Sequence, residues 1–320
     1  MATYSGVSTV GSYVALPQAI MDVYSMDILH EAMGIMRYEE FAVKKTELSA
    51  MPGQTITMTR YNNLSAGGQL TENVALVETN ITASQKAISV TEWGKAIGVS
   101  EKLLQMSMHD VLAESALLLG RNYAQTNDLM CRDALAGATQ SVFAGNRATA
   151  ALMQSGVDYF DVEMIRQGVE VLQTKNAPKF MGDFYVCFLH PHQAAYLKRD
   201  PDWVAAQNYA GTRALFNGEL GRWEDVIFVG TTHARNGACS SSDPGYVAAM
   251  VDQATGGASN ADTYEAILFA DSAYGKATAL PVELRQSERA DYGRRHGLAW
   301  YAIQGAGILE DDFIVKLVSI

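Results

Sequence analysis

Two imidazoles stand two residues apart in His190-Pro191-His192, a spacing that could hold one edge of a metal ion. Glu310-Asp311-Asp312 sets three carboxylates in a row, as a hard cation would want. Neither arrangement carries far. The histidines fall at a strand-to-helix junction with no third ligand in reach along the sequence, so His190 is read as lying near a helix N-cap and His192 on its first turn. Changing either to Ala is expected to cost no more than an ordinary surface change. The carboxylates lie between two strand candidates and are read as a solvated turn. Arg285, Arg289, Arg294 and Arg295, with His296, form the main positive cluster. It could touch nucleic acid or a neighbour's carboxylates, and a local ion-pair network is the plainer reading. Cys131, Cys187 and Cys239 are odd in number and scattered, which fits free thiols rather than a disulfide framework or a zinc site. No G-x-S-x-G, Walker-type loop, H-E-x-x-H or strand-following G-x-G-x-x-G occurs, and Gly256-Gly257 has neither a Lys nor a helical pattern after it. No catalytic residue, no metal and no cofactor is expected.

With no chemistry to position, the elements themselves become the question. The 320 residues are 48% hydrophobic and only 18% charged, a globular composition that leaves surface available for burial against other chains. A net charge of −11 argues against general nucleic-acid binding. No apolar stretch approaches a membrane span, and the N-terminus lacks the pattern of a signal peptide, so the protein is expected in a cytoplasm.

Pro52-Gly53 marks a turn, and Thr55 to Tyr61 then alternates at period two with β-branched residues, which predicts a strand. Residues 62–80 are polar and Gly-rich, and strand character returns at Ile81 and in Ala87 to Val99. A long hairpin with a bulky tip follows from this, and an unsupported two-stranded ribbon is marginal in water, so something else must cover it. Ser100 and Asp110 are N-cap candidates, the second for a helix from Val111 to Ala136 that Gly137 would stop. Leu112, Ala116, Leu119, Tyr123, Met130 and Ala134 form its apolar stripe, with Asp128 and Arg132 largely off it. Asp161 caps a further predicted helix through Lys175, Asp183 to Leu189 reads as a buried strand, and Pro191 opens a helix through Lys198. Strands are predicted at Asp225 to Val229 and at Tyr246 to Val251. Two more, Leu298 to Gln304 and Phe313 to Val318, are expected to be joined through Gly305-Ala306-Gly307.

Arm, long hairpin, long helix, mixed α/β region and a return to strands is an α+β order that resembles the tailed-bacteriophage major capsid protein family. Local sequence carries the same resemblance: Leu189-His190-Pro191-His192, Asp200-Pro201-Asp202-Trp203, Asn217-Gly218-Glu219-Leu220-Gly221, Ala124-Gln125-Thr126-Asn127-Asp128 and Gly297-Leu298-Ala299-Trp300. These motifs resemble a short-tailed-phage branch. The resemblance implies an N-terminal arm over residues 1–47 and an extended hairpin loop over 48–91 that lies across a neighbouring subunit. It also implies a peripheral domain from 92–138 and 280–320 with the long helix as its spine, and an axial domain over 139–279. The C-terminal strands would return to the peripheral domain. Arg60, Tyr61, Glu72 and Glu78 would make inter-subunit contacts. Arg285, Arg289, Arg294 and Arg295 would pair locally or face DNA. The implied partners are further copies of the chain in hexamers and pentamers, a portal protein, separate scaffolding or decoration proteins, and enclosed double-stranded DNA without sequence-specific binding. No membrane is implied. The short arm leaves no room for a cleaved scaffolding region. Two rivals remain at this point: an encapsulin-like nanocompartment shell, and a cytosolic α/β enzyme using the loop around His190.

Overall fold

The structure is a computed structural model that describes residues 37–46, 53–62, 64–69, 78–107, 110–210, 221–239, 241–251, 253, 262–287, 292 and 294–320. After a turn at residues 38–42 the chain forms β1 (Val43–Lys45), then β2 (Thr55–Tyr61) and β3 (Ala83–Ser89) as an antiparallel hairpin. β4 (Thr91–Ser100) leads through α1 (Glu101–Met106) to α2 (Val111–Ala136). The middle of the chain holds β5 (Ser141–Phe143), α3 (Val162–Thr174), β6 (Tyr185–Leu189), α4 (Pro191–Leu197), α5 (Pro201–Ala210), β7 (Arg222–Trp223), β8 (Val226–Gly230) and β9 (Tyr264–Phe269). It ends in β10 (Tyr274–Gln286), β11 (Arg295–Ile308) and β12 (Ile314–Ser319). These build a four-stranded sheet ordered β1-β10-β11-β4, a six-stranded sheet ordered β5-β12-β9-β6-β8-β7, and the separate two-stranded hairpin.

α2 spans the two larger sheets. Its 26 residues reach roughly 39 Å at 1.5 Å per residue. The Asp110 carboxylate accepts from the N–H groups of Leu112 and Ala113, satisfying two donors that no helical turn can reach. The N-terminal half lays Leu119 and Tyr123 against Leu298 and Trp300 of β11, where Trp300 Nε1 also donates to Asn122 Oδ1. The C-terminal half buries Cys131 and Leu135 among Tyr38, Phe188, Phe269 and Tyr274 beneath the six-stranded sheet. On the sheet's other face α3 packs its Ile165, Val169 and Leu172 against Leu268 and Leu317, so close that a Cβ on Gly168 would meet Leu268 at 2.9 Å.

Four sequence expectations are corrected. Tyr246 to Val251 is not a strand: Ala248–Met250 is a 3-10 turn. The segment folds instead around the buried Asn236, whose backbone N–H donates to Gly245 O and whose amide bonds Ala234 O and the Cys239 N–H, so the local groups are satisfied without a ladder. Gly305-Ala306-Gly307 does not join two strands but lies inside β11, because the hairpin crosses there and only glycine leaves it room. β12 does not stay with β11 in the four-stranded sheet; it pairs with β9 and β5. Asp128 and Arg132, expected off the buried stripe, are both buried, since the loop after β8 covers that flank of the helix.

Candidate assembly surface

The hairpin stands on a floor made by its own subunit. Ile56, Ile88 and Val90 pack on Ala277 of β10. A Cβ on Gly305 would lie 2.0 Å from the Ser89 carbonyl oxygen, and one on Gly275 or Gly307 would lie 3.2 Å from Ile88. The three glycines therefore thin the sheet where the hairpin crosses it. Arg60 forms an ion pair with Glu310. Beyond that foot, among the described residues, Tyr61, Leu64 and Ile81 are 71%, 62% and 73% exposed. These apolar side chains lie in water along a two-stranded ribbon, where a structure of only two strands gains little from burial.

Of the residues singled out in the sequence, Arg60 thus meets its own Glu310, Tyr61 and Glu78 are exposed, and Glu72 lies outside the described residues. Arg285 bonds Glu283 at 3.1 Å and lies over the Tyr301 ring, 4.3 Å from its centroid. Arg294 and Arg295 are exposed at the start of β11, on the same end of the β10–β11 pair; Arg289 lies outside the described residues. The carboxylate run is split among three partners. Glu310 goes to Arg60, Asp311 accepts from the Thr139 N–H at 3.0 Å, and Asp312 pairs with Lys175 at 3.1 Å. Nothing there converges on a cation.

His190 is a structural cap. Its Nδ1 accepts from the His192 N–H while Gln193 Oε1 accepts from the His190 N–H, a reciprocal arrangement that starts α4. Its Nε2 lies 4.0 Å from Cys239 Sγ. Burial, with a smaller contribution from His192, pushes the His190 imidazole down to about 4. His192 stacks on Tyr264 with centroids 4.4 Å apart. The expectation that His190 is dispensable is therefore revised. Among the described residues no group of three metal-binding side chains converges.

Sequence reasoning missed a buried polar hub that fixes the arm. Asp128 accepts from the Tyr38 N–H at 2.7 Å and lies 2.8 Å from His233 Nδ1. Arg132, one helical turn on, donates to the carbonyls of His233 and Pro244. Tyr274 Oη donates to the Tyr38 carbonyl, and Lys276 pairs with Glu39 at 2.7 Å. The one available signal was the Asp128/Arg132 spacing of four, which on an exposed helix would be an ordinary ion pair.

The family described as phage capsid protein matches residues 83–317. The fold is similar to the capsid of cyanophage Pam1, with a TM-score of 0.73 at 15% identity over 99% of this chain and 98% of that one. It is similar to the capsid of Helicobacter pylori bacteriophage KHP30, with a TM-score of 0.70 at 15% identity over 98% and 99%. The capsid of Ralstonia phage GP4 gives a TM-score of 0.65 at 17% identity over 98% of each chain. A search by sequence among curated proteins gives no match. At these identities the solved structures speak to the fold alone, and the family match speaks to membership.

Proposed function

Since the chain belongs to the phage capsid protein family and is a major capsid shell protein of the virion, we propose that its copies associate as hexamers and pentamers into an icosahedral head shell around double-stranded DNA. In this reading residues 1–47 are the arm, 48–91 the extended loop that lies across a neighbouring subunit, 92–138 with 280–320 the peripheral domain, and 139–279 the axial domain, with β12 shared into the axial sheet. The carrying observation is the hairpin of β2 and β3, footed on its own glycine floor yet exposing Tyr61, Leu64 and Ile81 beyond it. A lone subunit gains nothing from such a projection, whereas a repeated one buries it in every copy. Tyr61, Glu72 and Glu78 are assigned to that contact, and Arg60 holds the foot through Glu310. Arg285, Arg289, Arg294 and Arg295 are assigned to local or inter-subunit ion pairs. A portal protein, separate scaffolding or decoration proteins and assembly in the host bacterial cytoplasm complete the proposal.

Electron microscopy of the purified chain tests it. Closed particles of uniform diameter support the reading, and a protein that stays monomeric at all concentrations, with and without the co-expressed neighbouring genes, contradicts it.

A further inference from the structure

The four-stranded sheet ends on β4, and among the described residues no strand flanks its outer side. Which of its backbone groups point outward follows from the register. β4 and β11 are antiparallel with Ser100 opposite Arg295, and the Glu101 N–H donates to Arg294 O at 2.9 Å. Glu101 and Arg294 are thus a directly bonded pair, and antiparallel ladders alternate bonded and non-bonded pairs. Val99, Ile97, Lys95 and Trp93 therefore turn their N–H and C=O groups inward to β11. Gly98, Ala96, Gly94 and Glu92 turn theirs outward.

The same reasoning applies to the hairpin. The Asn62 N–H donates to Thr82 O at 2.9 Å in the register that sets Tyr61 opposite Ala83. Asn62 and Thr82 are a bonded pair, so Tyr61, Thr59, Thr57 and Thr55 direct their backbone groups away from β3. β3 is the strand lying against β10 and β11 of its own subunit, and β2 is the outer one. Among the described residues, β4 and β2 are thus two unlike open edges of each copy, one on the body of the subunit and one on the projecting ribbon. An open edge is a template for pairing. Three threonines at the outward positions of β2 suit a strand that receives a partner.

We infer that the outer edge of β2 in one copy pairs with the outer edge of β4 in a second copy, extending the four-stranded sheet across the subunit boundary. The inference rests on the reading of the chain as a shell subunit. Identical copies supply the two edges in equal number. Because the edges differ, the contact is head-to-tail, which closes into a ring when the rotation between copies allows it. The outward groups of Glu92, Gly94, Ala96 and Gly98 would receive partners, and the sheet would specify the register between neighbours through main-chain bonds.

Hydrogen–deuterium exchange with residue-level fragmentation, on dispersed subunits and on assembled shells of the full chain, tests it. The amides of Trp93, Lys95, Ile97 and Val99 should be protected in both states. Those of Glu92, Gly94, Ala96 and Gly98, with Thr57, Thr59 and Tyr61, should slow by about tenfold or more only in shells. Shells in which these amides exchange as fast as in dispersed subunits overturn the edge pairing while leaving the shell reading intact; failure of the wild-type chain to form shells overturns both. Ala96→Pro supplies a second measurement. It removes one outward N–H without touching the β4–β11 ladder, a position where an edge strand tolerates proline. Folded Ala96→Pro should need a higher concentration to assemble while Ala96→Ser should not, and equal assembly of the two overturns the inference; where Ala96→Pro fails to fold, the exchange pattern decides.

Discussion

The carboxylate of Asp128 joins two parts of the chain that are far apart in sequence: one oxygen takes the Tyr38 N–H at 2.7 Å and the other lies 2.8 Å from His233 Nδ1. A carboxylate only accepts, so the imidazole carries its hydrogen on Nδ1, and each carboxylate oxygen has a partner. All three residues are at most 1% exposed. Asp128→Ala leaves a buried N–H and a buried imidazole without a partner and is expected to destabilise the subunit by about 3 kcal/mol, with Asp128→Asn costing less. Urea unfolding of dispersed subunits measures this, and cleavage after Arg37 by trypsin should quicken in the Ala variant as the arm loosens.

His190 gives the subunit a pH dependence of definite sign. Its folded-state value is pushed down to about 4 by burial, against about 6.5 in an unfolded chain. The neutral ring is favoured by folding, so the contribution is present above pH 6.5 and is lost as pH falls from there toward 4. Discounted for the partial exposure of the ring, the loss is roughly 1–2 kcal/mol. His190→Asn keeps a capping acceptor and removes the titration. The slope of unfolding free energy against pH between 6.5 and 4 should be shallower in that variant than in the wild type, and identical slopes would show that His190 does not titrate there.

The helix and strand starts were legible because they are local. Ser100, Asp110, Asp161 and Pro191 stand where helices begin, and the alternation of Thr55 to Tyr61 is a strand from end to end. What was missed depends on residues distant in sequence. Gly305 and Gly307 look like a turn until Ser89 and Ile88 are laid over them. Asp128 and Arg132 look like surface charge until the loop carrying His233 and Pro244 folds down on them. The strand of Thr55–Tyr61 was legible from its pattern; the foot of the hairpin on its own sheet, through Ile56, Ile88 and Val90, was not.

The glycine floor can be tested by adding one methyl group. The Cβ of Gly305→Ala would collide with the Ser89 backbone oxygen, which cannot rotate away, so the hairpin must lift from the sheet. A loss of about 2 kcal/mol or more and proteolytic sensitivity near Val90 are expected. Gly120→Ala on α2 meets nothing within 4 Å and should stabilise the subunit by about 0.5–1 kcal/mol through helix propensity. Thermal unfolding of the two variants should therefore move in opposite directions.

Association is opposed by the net charge of −11 per copy, which salt screens over about 8 Å at physiological ionic strength. Shell yield followed by light scattering should rise as salt is raised from low to moderate. Shells that form best at very low salt and dissolve as it rises would mean that attractive ion pairs between copies dominate cohesion.

The central claim is that the ribbon beyond its glycine floor is covered by another copy, and deleting Asn63 to Glu72 addresses it most directly. Sedimentation velocity on the deleted chain should show subunits or small oligomers with near-native circular dichroism, where the full chain gives particles of shell size. Shells of normal size and yield from the deleted chain would contradict the account.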